Sequence, residues 1–135
     1  MIERGSGRIL IVSSIAGIIP AGPISGPYAM TKYALEAMGG AGRAELEPLG
    51  VEVGVINPGP YGTGFNDAMA DRAVDRLSDD APEAISAQVN FLHDLITIDQ
   101  MDPSEVVQVM ADLVEADTVP RQTVVPADLL ERFGL

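Results

Sequence analysis

Ser14, Tyr28 and Lys32 are the residues whose types and spacing suit chemistry. Tyr28 and Lys32 are four positions apart, so on a helix they share one face, one turn apart. A free tyrosine titrates near ~10, too high for efficient proton exchange at neutral pH. An ammonium about 4 Å away, at an effective dielectric near ~20, stabilises the phenolate by roughly 4 kcal/mol, about three pKa units before desolvation losses. Ser14 adds a hydroxyl able to hydrogen-bond the oxygen of a carbonyl or alcohol and hold it beside the tyrosine. The chain has seven arginines but one lysine, so no other ammonium can replace Lys32.

The surrounding pattern says which elements must position these groups. Arg8 to Ser13 is a short apolar, β-branched run, bounded by glycine and serine, that suits a buried parallel strand. Residues 15–27 hold three glycines and three prolines and read as a loop. Helical composition follows from Tyr28 to Leu49, with Pro27 where a first-turn proline is tolerated. Gly39, Gly40 and Gly42 weaken this helix. They either admit a close approach by another helix or are simply carried by tertiary packing. Gly50 closes the helix, and Val51 to Ile56 alternates as a second strand that Asn57-Pro58-Gly59-Pro60 stops. Residues 60–82 are long and irregular, as lids and binding loops are, with a short helix expected around Asp67–Leu77. A helix from Pro82 to Ile98 follows. Asp102 and Pro103 then open another helix as N-cap and N1, running to Ala116. Gln122 to Val125 reads as a third strand and Ala127–Phe133 as a terminal helical turn. Helices separating apolar strands imply an α/β fold with right-handed crossovers and a parallel sheet. Ser14, the Tyr28/Lys32 pair, Pro58-Gly59 and Thr63 then all fall at the carboxyl ends of the strands, where such sheets bind ligands.

Composition narrows the function classes. The 135 residues carry 8 basic and 20 acidic side chains, a formal charge of −12. That balance argues against nucleic acid and anionic membranes as partners. The charge is uneven: residues 1–65 are at −1 and residues 66–135 at −11, so an anionic cofactor is better received by the first half. With no cysteine and one histidine, thiol catalysis, disulfides and multi-histidine metal sites are excluded, and no metal is expected. No apolar run approaches the roughly 20 residues of a membrane span, and the first residues lack the pattern of a signal peptide. A cytoplasmic protein is the expectation.

Three motifs in order, Ser14-Ile15-Ala16-Gly17, then Tyr28-Ala29-Met30-Thr31-Lys32, then Pro58-Gly59-Pro60-Tyr61-Gly62-Thr63, resemble the C-terminal half of a short-chain dehydrogenase/reductase. The match to SxxG, YxxxK and PGxxxT covers about residues 7–65, and the later helices fit more loosely. The resemblance implies a partial Rossmann-like, doubly wound parallel sheet of about three strands. Residues 1–135 then form the catalytic and substrate-binding half of such a domain. It implies an NAD- or NADP-dependent oxidoreductase acting on a small-molecule alcohol or carbonyl. Tyr28 would be the general acid/base, Lys32 would lower its pKa and hold the nicotinamide ribose, and Ser14 would orient the substrate oxygen. Pro58, Gly59 and Tyr61 would line the nicotinamide through their backbone, and Thr63 would contact its carboxamide or the pyrophosphate. A homo-oligomer packing through the Tyr28/Lys32 helix, or a complementing N-terminal half, is the implied partner.

The departures from that family are as informative. The glycine-rich TGxxxGxG turn that cradles the pyrophosphate at a helix N-terminus is not among these residues, and neither is the asparagine that the family places upstream of the serine strand. The apolar first strand would then present an unpaired edge. The competing expectation is a truncated remnant or interaction subunit unable to bind dinucleotide alone. Other residues have plainer readings. Glu36 either competes for the Lys32 ammonium or is an exposed or interfacial charge. His93 is expected solvated or half-buried, and Asp67, Asp71 and Asp75 are expected on a solvated face. Phe65, Met69 and Leu77 either cover an apolar substrate or pack their own loop.

Overall fold

The computed structural model describes residues 1–132 and 134. Three parallel strands, β1 (Gly7–Val12), β2 (Val51–Pro58) and β3 (Gln122–Val125), form one sheet in the order β1-β2-β3. Gly7 lies opposite Val51 and Val12 opposite Ile56, while Val55 to Pro58 run beside Gln122 to Val125. β2 is bonded on both sides, and every residue from Val51 to Asn57 except Glu52 is buried. β1 is bonded only to β2 and stays half-buried to exposed along its length.

Side-chain alternation on β2 decides what covers each face. Val53, Val55 and Asn57 point to α1 (Gly26–Leu46), which follows the loop after β1. Gly39 and Gly42 of α1 serve this packing, although the partner is a strand where a second helix was one expectation. A Cβ on Gly39 would overlap Val55 Cγ2, and Gly42 faces Val53. On the other face Ile56 joins Tyr61, Val106, Leu113 and Val125 in the main apolar cluster beneath α4 (Ser104–Glu115). Arg8 ties β1 to the end of α4, donating to the carbonyls of Leu113 and Val114 at 2.7 and 2.8 Å and pairing with Glu52. Helices on both faces of a parallel sheet make this the α/β, Rossmann-like arrangement that the element order implies.

Between β2 and α4 the chain forms α2 (Phe65–Asp75) and α3 (Glu83–Thr97), which pack against each other. α5 (Leu129–Arg132) is the last helix among the described residues; Phe133, the last residue of the expected terminal turn, lies outside the described residues. Two local details sharpen the sequence reading. Asp102 does accept from the Ser104 amide at 2.8 Å, although Pro103 holds the flanking position of α4. Gly50 adopts φ 77° after α1, a left-handed conformation glycine takes without strain.

Candidate active site

β1 ends at Val12; Ser13 and Ser14 follow it, and Ser14 caps a single turn at Ile15–Gly17. The Ser14 hydroxyl caps that turn by accepting from the Ala16 amide at 3.2 Å. This uses an acceptor lone pair and leaves the hydroxyl proton to donate elsewhere. Gly17 is needed for the turn to lie against α1, since a Cβ there would sit 3.0 Å from the Lys32 carbonyl oxygen.

Pro27 stands in the first turn of α1, and Tyr28 and Lys32 follow on one face. Lys32 Nζ lies 5.6 Å from the centre of the Tyr28 ring and donates to the Ser13 carbonyl at 2.9 Å. The Ser13 hydroxyl, itself buried, donates back to the Lys32 carbonyl at 3.3 Å. Burial lowers the Lys32 pKa from its ordinary value, because an ammonium loses hydration that one carbonyl only partly replaces.

Behind the turn is a polar connection that the sequence reading did not single out. Asn57, fully buried at the end of β2, donates to the Ser14 carbonyl at 3.0 Å and to Glu36 Oε1 at 2.6 Å. The other Glu36 oxygen accepts from Gln122 at 3.2 Å. Glu36 therefore does not compete for Lys32 and is not merely an interfacial charge. It is half-buried and links α1, β2 and β3. The available signal was the register of β2: residue 57 falls on the face of Val53 and Val55, so a polar side chain there must find a partner on α1.

Ser14 and Tyr28 both line a cavity of about 870 Å³, together with Gly59 and Pro60 beyond β2 and side chains of α2 and α3. Phe65 and Met69 line it too, whereas Leu77 does not. Lys32 stands behind the tyrosine, outside this lining. Pro58, Tyr61 and Thr63 also lie outside it. Tyr61 is buried in the core, its hydroxyl donating to Glu105 at 2.8 Å. Burial, reinforced by that carboxylate, pushes its phenol well above the ordinary range. Its backbone pairs with Met101. Thr63 is exposed, its amide bonded to the Tyr61 carbonyl. Asp67 accepts from Gln100 and Asp71 lies 3.5 Å from His93, so two of the three spaced aspartates are engaged by α3 and the segment after it. Among the described residues no group of three or more histidine, cysteine or carboxylate side chains could hold a metal ion.

The short chain dehydrogenase family matches residues 1–73 of the chain. The chain belongs to that family. Over 67 residues it is 48% identical to the oxidoreductase YbbO of Escherichia coli (strain K12), a match covering 50% of this chain and 24% of that relative. A short-chain dehydrogenase from Streptomyces avermitilis superposes with a TM-score of 0.75 at 21% identity, covering 97% of this chain and 46% of that one. A variant of actinorhodin polyketide ketoreductase, solved with NADPH, gives a TM-score of 0.68 at 27% identity, covering 96% of this chain and 49% of that one. The chain thus spans half or less of the length of these relatives. Among the described residues no helix is long and apolar enough to cross a membrane.

Proposed function

We propose that this chain is the catalytic half of an oxidoreductase that interconverts an alcohol and a carbonyl with NAD or NADP. The observation that carries the reading is that Ser14 and Tyr28 line one predominantly apolar cavity, with Lys32 Nζ held 5.6 Å from the tyrosine ring centre by the Ser13 carbonyl. Membership in the short-chain dehydrogenase family, and the NADPH in the ketoreductase it resembles, support the cofactor class.

The donor set suits the nicotinamide end of such a cofactor. An ammonium has three donors, and the Ser13 carbonyl takes one from Lys32, which leaves two for ribose hydroxyls. Gly59 and Pro60 supply a flat backbone wall at the cavity. Pro58 and Tyr61 would extend it, and Thr63 would meet the carboxamide or pyrophosphate. A bound nicotinamide dinucleotide supplies or accepts the hydride. In the reducing direction Ser14 Oγ donates to the substrate oxygen, its own lone pair already engaged by Ala16. Tyr28 gives its proton to that oxygen as the alcohol forms, and the Lys32 ammonium stabilises the phenolate left behind. Oxidation reverses these transfers.

The second reading is an interaction subunit that keeps the motifs without catalysis. A surface for self-association is offered by Met30, Tyr33 and Met38, exposed along α1. Fluorescence titration of the purified chain with NADH and NADPH separates the readings. Saturable binding supports catalysis, and no binding at millimolar cofactor removes catalysis by this chain alone.

A further inference from the structure

We infer that the substrate is a bulky, predominantly apolar alcohol or ketone, with a skeleton well beyond four carbons, whose body lies between α2 and α3. This rests on the reading of Ser14 and Tyr28 given above and adds the class of molecule they act on. The cavity that those two residues line has a volume of about 870 Å³ and reaches from Gly59 and Pro60, where the nicotinamide would lie, to α2 and α3, room in the range of sites that enclose drug-sized ligands.

Its lining is predominantly apolar. The hydroxyls of Ser14 and Tyr28 are where a substrate oxygen would be held. The cavity's large apolar walls are Phe65 and Met69 of α2 and Phe91 and Leu95 of α3, with Arg72 and His93 the charged and titratable side chains these helices add to the lining. Three of these four are strongly exposed, Phe65 at 56%, Phe91 at 68% and Leu95 at 48%, although they line a concavity. Large apolar side chains left wet around one cavity gain free energy only when an apolar body displaces the water. Phe65 also stands next to the proposed acid/base, its ring centre 6.3 Å from that of Tyr28. The apolar wall therefore begins at the reacting end and needs no polar spacer in the substrate. A short, polar hydroxy acid would leave most of this surface uncovered.

The test uses the 135-residue chain with its methionine methyl groups labelled with carbon-13, titrated with decan-2-one and with butan-2-one. Each added methylene is worth about fourfold in affinity when buried, so burying half or more of the six gives decan-2-one an advantage of at least about 60-fold. The Met69 methyl, in the cavity wall, shifts on binding, while that of Met38, exposed on the outer side of α1, does not. Ala73→Trp, which fills the cavity from α2, abolishes binding. The Met69 shift in the unsubstituted chain decides the matter if that variant does not fold. Equal affinity for the two ketones overturns the inference. So does a shift at Met38 without one at Met69, or a dimer whose formation excludes decan-2-one. The two readings fail separately. Tight decan-2-one binding without Tyr28-dependent turnover refutes the hydride-transfer reading alone. Turnover with equal kcat/KM for both ketones refutes the substrate class alone.

Discussion

Ser13 and Lys32 grip each other twice: the Lys32 ammonium donates to the Ser13 carbonyl at 2.9 Å, and the Ser13 hydroxyl donates to the Lys32 carbonyl at 3.3 Å. The pair joins the end of β1 to the second turn of α1. It sets how far the only lysine of the chain can move relative to Ser14, the next residue along. Orientation of this kind is what proton transfer needs, since small displacements of a positioned group are costly in rate.

Ser13→Ala removes one of those bonds and leaves the Lys32 carbonyl without that hydroxyl donor. The expected cost is about 1 kcal/mol of stability, read as a lower urea midpoint with an unchanged denaturant slope. A stability equal to the parent would show that the contact contributes nothing.

Asn57→Ala strips donors from the Ser14 carbonyl and from Glu36 together. Leaving buried acceptors unpaired costs about 1–3 kcal/mol each, so a loss of roughly 3 kcal/mol is expected. Glu36→Gln, which keeps one carbonyl acceptor for Asn57, loses less. Chemical denaturation of the two variants checks the order.

Gly39→Ala drives a methyl into Val55, whose Cγ2 occupies the space a Cβ would take. Overpacking typically costs 1–3 kcal/mol, outweighing the roughly 1 kcal/mol that alanine gains in helix propensity. Adding Val55→Ala restores part of the loss, a coupling that a double-mutant cycle measures. Gly40→Ala, which meets only the Arg121 guanidinium at 3.6 Å, is expected to be neutral or stabilising.

His93 links the two helices over the cavity, with Nδ1 3.2 Å from Asp94 and Nε2 3.5 Å from Asp71. The hydrogen bond to Asp94 and then that to Asp71 raise its pKa above 6.5. A histidine whose folded pKa is raised adds stability that is fully present below its unfolded pKa and lost as pH rises through the folded value. Melting temperature is therefore expected to fall from about pH 6.5 upward, and His93→Gln to flatten that slope. Because His93 is the single histidine, its imidazole resonance gives the titration directly. A pKa at or below 6.5 refutes the link.

The parts of this fold that were legible in the sequence are those written in short-range chemistry. The β-branched run of β1, the Gly50 stop and the Asp102-Pro103 start each act within a few residues, and each lies within a residue of where that chemistry puts it, α4 starting at Ser104 rather than Pro103. The same holds for the grouping of Ser14 with Tyr28, because both sit just past or just inside element ends on one side of a parallel sheet. What escaped depends on long-range register. Glu36 looks like a surface charge on α1 until Asn57 is known to face it from β2, and Gln122 reaches it only once β3 is paired. Gly39 likewise marks close packing without saying whether a strand or a helix is the neighbour.

The most direct test of the central claim is the rate of NADH- or NADPH-dependent reduction of decan-2-one by the chain and by Tyr28→Phe, with cofactor affinity measured on both. The phenylalanine variant keeps the ring against Phe65 and loses only the hydroxyl. A rate lower by about 10²–10⁴-fold, the usual contribution of a general acid, with unchanged cofactor affinity, is the predicted result. A variant that keeps most of its rate would contradict the assignment of Tyr28 as the proton donor.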